Sequence, residues 1–119
     1  MPKLVIYDSM QNKKVLFEPI DKNNIRVYAC GPTVYDYAHI GNARMAVVFD
    51  TLIRLLKHLY PKVTYVSNIT DIDDKIINRS NLEKISVSVI TEKFTKIYNN
   101  DMKMLNVFKP DYQPKATEY

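Results

Sequence analysis

Glycine and cysteine are scarce in this chain. Its 119 residues hold two glycines and one cysteine, where average usage near 7% would give about eight glycines. A single cysteine cannot close an internal disulfide, which excludes a disulfide scaffold and suits a reducing cytoplasm. No run of about eighteen or more apolar residues occurs, so no membrane-spanning helix is expected. Met1-Pro2-Lys3-Leu4-Val5-Ile6-Tyr7-Asp8 meets a charge too early for a secretory signal. Repeats, low-complexity tracts and long basic runs are missing as well. The net charge of +4 comes from scattered lysines, which permits a nucleic-acid partner but is weak evidence for one. What remains is the composition of one ordinary globular domain, or of a piece of one.

Both glycines lie beside the cysteine, in Cys30-Gly31-Pro32-Thr33-Val34-Tyr35-Asp36-Tyr37-Ala38-His39-Ile40-Gly41-Asn42. Glycine kept in one place by a chain that otherwise avoids it points to a need for bare backbone there, where a ligand or another strand approaches.

The hydrophobic pattern alternates between strand and helix. Residues 4–7 and 15–18 are short apolar runs separated by Gln11-Asn12-Lys13-Lys14, a small hairpin. Residues 25–30 are a third strand, favoured by Ile25, Val27 and Tyr28. From Gly41 the period changes: Met45, Val48, Phe49, Leu52, Leu56 and Leu59 form the stripe of an amphipathic helix that Pro61 ends. Residues 63–66 form another strand, and residues 68–74 are polar and turn-prone. A helix over residues 87–105 presents Val87, Ile90, Phe94, Ile97 and Tyr98 on one face. The tail, with Pro110 and Pro114, shows no clear period.

Strand, tight turn, helix and strand make a βαβ unit with a parallel sheet. Ligands in such sheets bind at the carboxyl ends of the strands, where the following helix begins. The Cys30–Asn42 segment sits there. Free N–H groups and the macrodipole at the helix start predict a phosphate site near residues 39–44.

Individual residues have ordinary readings beside the functional ones. A lone Cys30 is most often a small buried hydrophobe. His39 could be a surface histidine, but its place before a glycine at a helix start argues for a role. Gly41 could be a plain helix-start glycine, and Thr70 a capping or turn threonine. Asp71, Asp73 and Asp74 are expected to cap the next helix and orient the loop rather than hold a metal. Lys75 and Arg79 would pair with them or face water. His58 reads as surface or helix end.

Three stretches in order carry a resemblance: Cys30 to Asp36, His39-Ile40-Gly41-Asn42-Ala43-Arg44 with Phe49-Asp50, and Tyr65-Val66-Ser67-Asn68-Ile69-Thr70-Asp71-Ile72-Asp73-Asp74-Lys75-Ile76-Ile77. They closely resemble the N-terminal region of the cysteinyl-tRNA synthetases, class I aminoacyl-tRNA synthetases in which residues 39–42 would be the HIGH signature. The resemblance runs from about Leu4 to the last residue. It implies an α/β fold, the first half of a Rossmann-like parallel sheet of the HUP nucleotide-binding type, with an N-terminal β-hairpin. It also implies that residues 1–119 are the N-terminal part of a catalytic domain, a fragment lacking the second half of the fold, the KMSKS loop, further zinc ligands and the anticodon-binding region.

The resemblance assigns roles as follows. Cys30 would ligate a zinc ion that accepts the substrate cysteine's sulfur as thiolate in preference to serine's hydroxyl. His39 and Asn42 would be catalytic, binding ATP and steadying phosphate charge. Thr33 and Gly41 would join them at ATP, and Gly31 and Thr70 would contact bound cysteine. Asn42 replaces the second histidine of the general signature; its amide still donates two hydrogen bonds. The reaction would consume ATP with Mg2+, form cysteinyl-adenylate, and charge tRNA(Cys) in a cytoplasmic enzyme, monomeric at full length. This chain alone would be inactive. Two alternatives stand: the related ATP-dependent ligase joining cysteine to an amino-sugar, against which Val34 before Tyr35 and Arg44 after Ala43 argue moderately, and a non-catalytic binding module, which the short length favours.

Overall fold

The structure, a computed structural model, describes residues 3–119; Met1 and Pro2, where the expected domain begins, lie outside the described residues. Strands β1 (Val5–Asp8) and β2 (Lys13–Leu16) pair antiparallel, Val5 opposite Leu16 and Asp8 opposite Lys13. The turn between them places Asn12 at φ 54°, a left-handed conformation that asparagine tolerates. The Asp8 carboxylate accepts the Met10 N–H at 2.8 Å. This is the expected hairpin. Phe17, just beyond β2, meets Tyr60 edge-on at 6.2 Å and packs with Leu4 against the main core.

Strand β3 (Ile25–Ala29), helix α1 (Ile40–Leu59) and strand β4 (Val63–Ser67) follow. The two strands run parallel, in register from Ile25 opposite Val63 to Ala29 opposite Ser67, as the change of period at Gly41 predicts. Ile25 and Ala29 from β3, Ile53 and Leu56 from α1, and Val63 and Tyr65 from β4 form the first core. Phe49 and Leu52 of the expected α1 stripe flank it, but Val48 is exposed. The inner face of α1 runs through Ala46, Asp50, Ile53 and Leu56; it keeps Leu56 of the stripe read from hydropathy and is otherwise one step off it. A buried carboxylate explains the offset. Asp50 Oδ1 accepts the Phe108 N–H and Oδ2 accepts Arg54 Nε, both at 2.8 Å, so the aspartate is satisfied inside where a hydrophobic pattern leaves a gap.

Helices α2 (Asp74–Glu83) and α3 (Val87–Met104) complete the α/β arrangement. Asp73 caps α2, accepting the Lys75 N–H at 2.8 Å, as the aspartate cluster suggests. Ile90 and Phe94 of α3 bury against Val34 and Ile69 in a second core. That core lies directly beneath the loop after β3.

The tail is not the patternless segment its sequence suggests. It runs parallel beside β4, with Tyr112 bridging Val66 and Lys115 bridging Ile69. Ser67 N–H donates to the Tyr112 carbonyl at 3.1 Å and Ile69 N–H to the Pro114 carbonyl at 2.8 Å. Proline lacks an N–H but keeps its carbonyl, so it serves on such an edge.

Asp71 anchors the tail's end: it accepts the Thr117 hydroxyl at 2.6 Å and the Thr117 N–H at 3.0 Å. Burial pushes its carboxyl up, but these two bonds and the Lys115 charge outweigh it, and the folded group titrates below the ordinary aspartate value. A depressed folded pKa contributes stability that is complete above the unfolded value, about pH 4, and is lost as pH falls through the folded value. The tail's last turn is therefore expected to loosen on acidification below about pH 4. Hydrogen exchange at the Thr117 amide checks this; the Asp71→Asn variant should already exchange faster at neutral pH and lose the acid dependence.

Candidate active site

Past β3 and β4 the two chains continue side by side. Gly31 N–H donates to Asn68 Oδ1 at 2.6 Å. Thr70 N–H donates to the Pro32 carbonyl at 3.0 Å, Val34 N–H returns to the Thr70 carbonyl at 3.2 Å, and Thr33 pairs with Thr70. The need for bare backbone at Gly31 has a direct cause. A Cβ there would stand 1.6 Å from the Asn68 carbonyl oxygen, so the side-by-side approach of the two segments fills the space.

His39 is the N-cap of α1. Its Nδ1 accepts the Gly41 N–H at 3.0 Å, and Asn42 Oδ1 accepts the His39 N–H at 3.0 Å. This is a reciprocal capping box built from His and Asn in place of the commoner Ser and Glu. A Cβ at Gly41 would meet His39 Cε1 at 2.7 Å, so this glycine leaves room for the imidazole that caps the helix. The chemical consequence concerns the remaining atoms. With Nδ1 accepting, the neutral ring carries its proton on Nε2, and Asn42 keeps both amide hydrogens. The acceptor atoms of both side chains are spent on the helix; their donors are not. Donors at the positive end of a twenty-residue helix with no acidic residue in its first turn suit an anion.

These residues open on a cleft of about 180 Å³ whose walls include Thr33, Tyr35, His39, Asn42, Lys75 and Phe94. Thr33, His39 and Asn42, three of the four residues expected at ATP, line this cleft. Cys30, Gly31, Gly41 and Thr70 are not among its walls; the first two and Thr70 belong to the paired segments beside it. Three wall residues lie outside the Cys30–Asn42 segment and escaped sequence reasoning as site residues. Phe94 and Tyr98 follow the apolar period of α3 and read as core, yet they also form the cleft's floor. Lys75 was expected among the aspartates or in water, but its Nζ lies 5.3 Å from the Tyr35 ring centroid, in the first turn of a helix whose cap is Asp73. Burial pushes the Tyr98 phenol up, with the Tyr65 phenol adding to it, so Tyr98 stays a neutral donor. Asp36, exposed at the rim, is held below the usual carboxylate range by the Tyr37 N–H and by Arg79.

A family model described as tRNA synthetases class I (C) catalytic domain matches residues 16–119. The chain belongs to this family. Its similarity to curated members is high. It is 53% identical over 115 residues to a cysteine--tRNA ligase of Ehrlichia ruminantium (strain Gardel), covering 97% of this chain and 25% of the relative. It is 56% identical over 113 residues to that of Wolbachia pipientis subsp. Culex pipiens, covering 95% and 24%, and 50% identical over 116 residues to that of Rhodospirillum centenum, covering 98% and 25%. The chain thus spans about a quarter of the length of the curated relatives it matches. The parallel β3–α1–β4 unit, which the N-terminal hairpin precedes, is Rossmann-like, as the class I synthetase catalytic domain is.

Within this class I domain the metal question turns on Cys30. The thiol is exposed, its Sγ 3.8 Å from the Gly31 carbonyl oxygen. Among the described residues no three His, Cys, Asp or Glu side chains gather where they could hold a metal ion. A tetrahedral zinc needs three or four protein donors. The donor set present does not by itself fit zinc. Among the described residues no helix is long and apolar enough to cross a membrane.

Proposed function

We propose that residues 1–119 are the N-terminal part of a catalytic domain that activates cysteine with ATP and transfers it to tRNA(Cys). The observation that carries the reading is the His39–Asn42 cap, which commits acceptors to the helix and leaves donors at its positive end, in a cleft shared with Thr33 and Lys75. The names of the relatives support the choice of cysteine and tRNA. In this reading the cysteine carboxylate attacks the α-phosphate of ATP, the bond to the leaving pyrophosphate breaks, and cysteinyl-adenylate forms. The adenosine at the tRNA 3′ end then takes the cysteinyl group and releases AMP. His39 Nε2–H and the Asn42 amide hydrogens donate to phosphate oxygens as charge shifts onto pyrophosphate, with Mg2+ travelling on the nucleotide. Thr33 and Gly41 complete the ATP side; Gly31 and Thr70 line the amino-acid side on the paired segments. Such groups act by holding reactants in line and by stabilising charge in a site with little reorganisation. The protein would work in the cytoplasm, as a monomer when the domain is complete.

Zinc belongs to the same proposal: Cys30 supplies one thiolate donor, and soft thiolate is the ligand zinc favours. With one donor, the 119-residue chain should bind zinc weakly. A chimaera in which residues 1–119 replace the matching segment of the Ehrlichia ruminantium relative should hold about one zinc per chain, and its Cys30→Ser variant should lose it. Metal analysis checks both; zinc fully retained in the variant would remove Cys30 from the ligand set.

The acceptor is tested on the same chimaera with radiolabelled cysteine. Label on the 3′ end of tRNA(Cys) supports the reading. Transfer to an amino-sugar with tRNA left uncharged would assign the chain to the ligase alternative. No transfer to either would favour a non-catalytic module.

A further inference from the structure

Arg79 of α2 lies five residues beyond Asp74, the last of the aspartates that it is expected to pair with if it does not face water. Its Nη1 donates to the Tyr35 carbonyl at 2.9 Å and pairs with Asp36 Oδ1 at 2.9 Å. Its Nε donates to Glu83 Oε1 at 2.6 Å, and its guanidinium carbon lies 4.7 Å from the Phe94 ring centroid. One planar fork therefore ties a loop backbone, a loop side chain, its own helix and the cleft floor.

The loop needs such a tie. Up to Val34 it is held by the paired segments, and from His39 onward by the α1 cap. Between them, residues 35–38 have few bonds of their own. Tyr35 N–H reaches back to the Thr33 carbonyl at 3.1 Å, Tyr37 N–H closes on the neighbouring Asp36 carboxylate at 2.8 Å, and the Tyr37 ring stands edge-on to Phe94 at 5.3 Å. Among the described residues Arg79 is the side chain that hydrogen-bonds this stretch to a helix; Lys75 of α2 meets it only over the Tyr35 ring, 5.3 Å from the centroid. Thr33 and His39, at the two ends of the stretch, face the same cleft, so their separation depends on how the stretch between them is held.

We infer that Arg79 is a positioning residue for the nucleotide side of the site, bracketing the loop between Thr33 and His39 so that both reach one triphosphate. This rests on the ATP-dependent reading above. The amino-acid side has its own supports, Gly31 on Asn68 and Thr70 on Pro32, so loss of the bracket should fall on ATP and spare cysteine. Lysine cannot replace the fork: it keeps the charge but offers no planar set of donors to carbonyl and carboxylates at once.

Two measurements test the inference. On the 119-residue chain, Arg79→Ala should speed hydrogen exchange at the Tyr35 and Tyr37 amides about tenfold or more, the scale of one lost charge-assisted bond, with the Val34 amide unchanged. Unaltered exchange at Tyr35 and Tyr37 would overturn the bracket without touching the ATP reading. In the chimaera, cysteine-dependent pyrophosphate exchange should show KM for ATP raised about tenfold and KM for cysteine within about twofold. Equal changes in both constants, or none, would overturn the assignment to the nucleotide side. If Arg79→Ala fails to fold, Arg79→Lys carries the test, with the same amides and the same split expected at smaller size. An unsubstituted chimaera without pyrophosphate exchange would instead bring down the ATP reading, and the assignment to the nucleotide side with it.

Discussion

Replacing Gly31 with alanine is expected to lower the melting temperature by roughly 10 °C and to part the ends of the two parallel strands. A Cβ at that position would lie 1.6 Å from the Asn68 carbonyl oxygen, 2.8 Å from its carbon and 3.2 Å from Ser67 Oγ. Two of these atoms are backbone, and neither can rotate away. The peptides must separate by more than an ångström, which breaks the 2.6 Å bond from Gly31 N–H to Asn68 Oδ1 and strains the pairing of Thr33 with Thr70 beyond it. Overpacking of this kind costs about 3 kcal/mol, and a degree scale for a domain of this size follows from its unfolding entropy. Thermal unfolding of the Gly31→Ala chain is the measurement. A shift under about 2 °C would mean that the segments are not held as closely as described. The contrast is Gly41→Ala, where the nearest atoms belong to the His39 ring, a side chain that can swing at the loss of its cap.

His39→Ala should separate two duties of one residue. The substitution removes the Nδ1 acceptor of the Gly41 N–H, and an uncapped helix loses about 1 kcal/mol. It also removes the Nε2–H donor proposed for phosphate. Loss of one donor aimed at developing charge slows the chemical step by roughly 10²–10³-fold, so adenylate formation in the chimaera should fall by that factor with zinc content unchanged. His39→Asn discriminates between the duties. Asparagine is among the best N-caps, so stability should return while the rate stays low. Recovery of the rate together with stability would show that His39 serves the helix alone. Loss of zinc in place of loss of rate would mean that the two halves of the motif have been given each other's roles.

The glycines, the hairpin, the parallel strand pair and the two long helices were legible because each rests on a local rule. Gly31 and Gly41 stood out by rarity, β3 and β4 by β-branched runs, and α1 and α3 by their period. The parts that were not legible depend on partners far apart in sequence. Asp50 breaks the apolar stripe of α1 because its partners, Arg54 and the Phe108 N–H, satisfy it inside, and Phe108 is 58 residues away. The tail gave no period because its pairing uses carbonyls of Tyr112 and Pro114, which hydropathy does not record. Sequence proximity places Arg79 with the nearby aspartates or in water, whereas its fork reaches Asp36 and Tyr35 across the fold. Within the site, the reciprocal His39–Asn42 cap is not legible in the sequence, because His and Asn stand where a capping box commonly has Ser or Thr and Glu or Gln. Lys75 is a cleft wall only because α2 turns its first residues toward the loop, which no local pattern states.

The cleft at the head of α1 is proposed to handle ATP for the activation of cysteine. Pyrophosphate exchange into ATP measures that step alone, before any acceptor is needed. In the chimaera carrying residues 1–119, exchange should depend on cysteine, be far weaker with serine, and fall by roughly 10²–10³-fold in His39→Ala. Exchange absent with cysteine, or equal with serine and cysteine, or untouched by His39→Ala in a folded, zinc-bearing chimaera, would contradict the account.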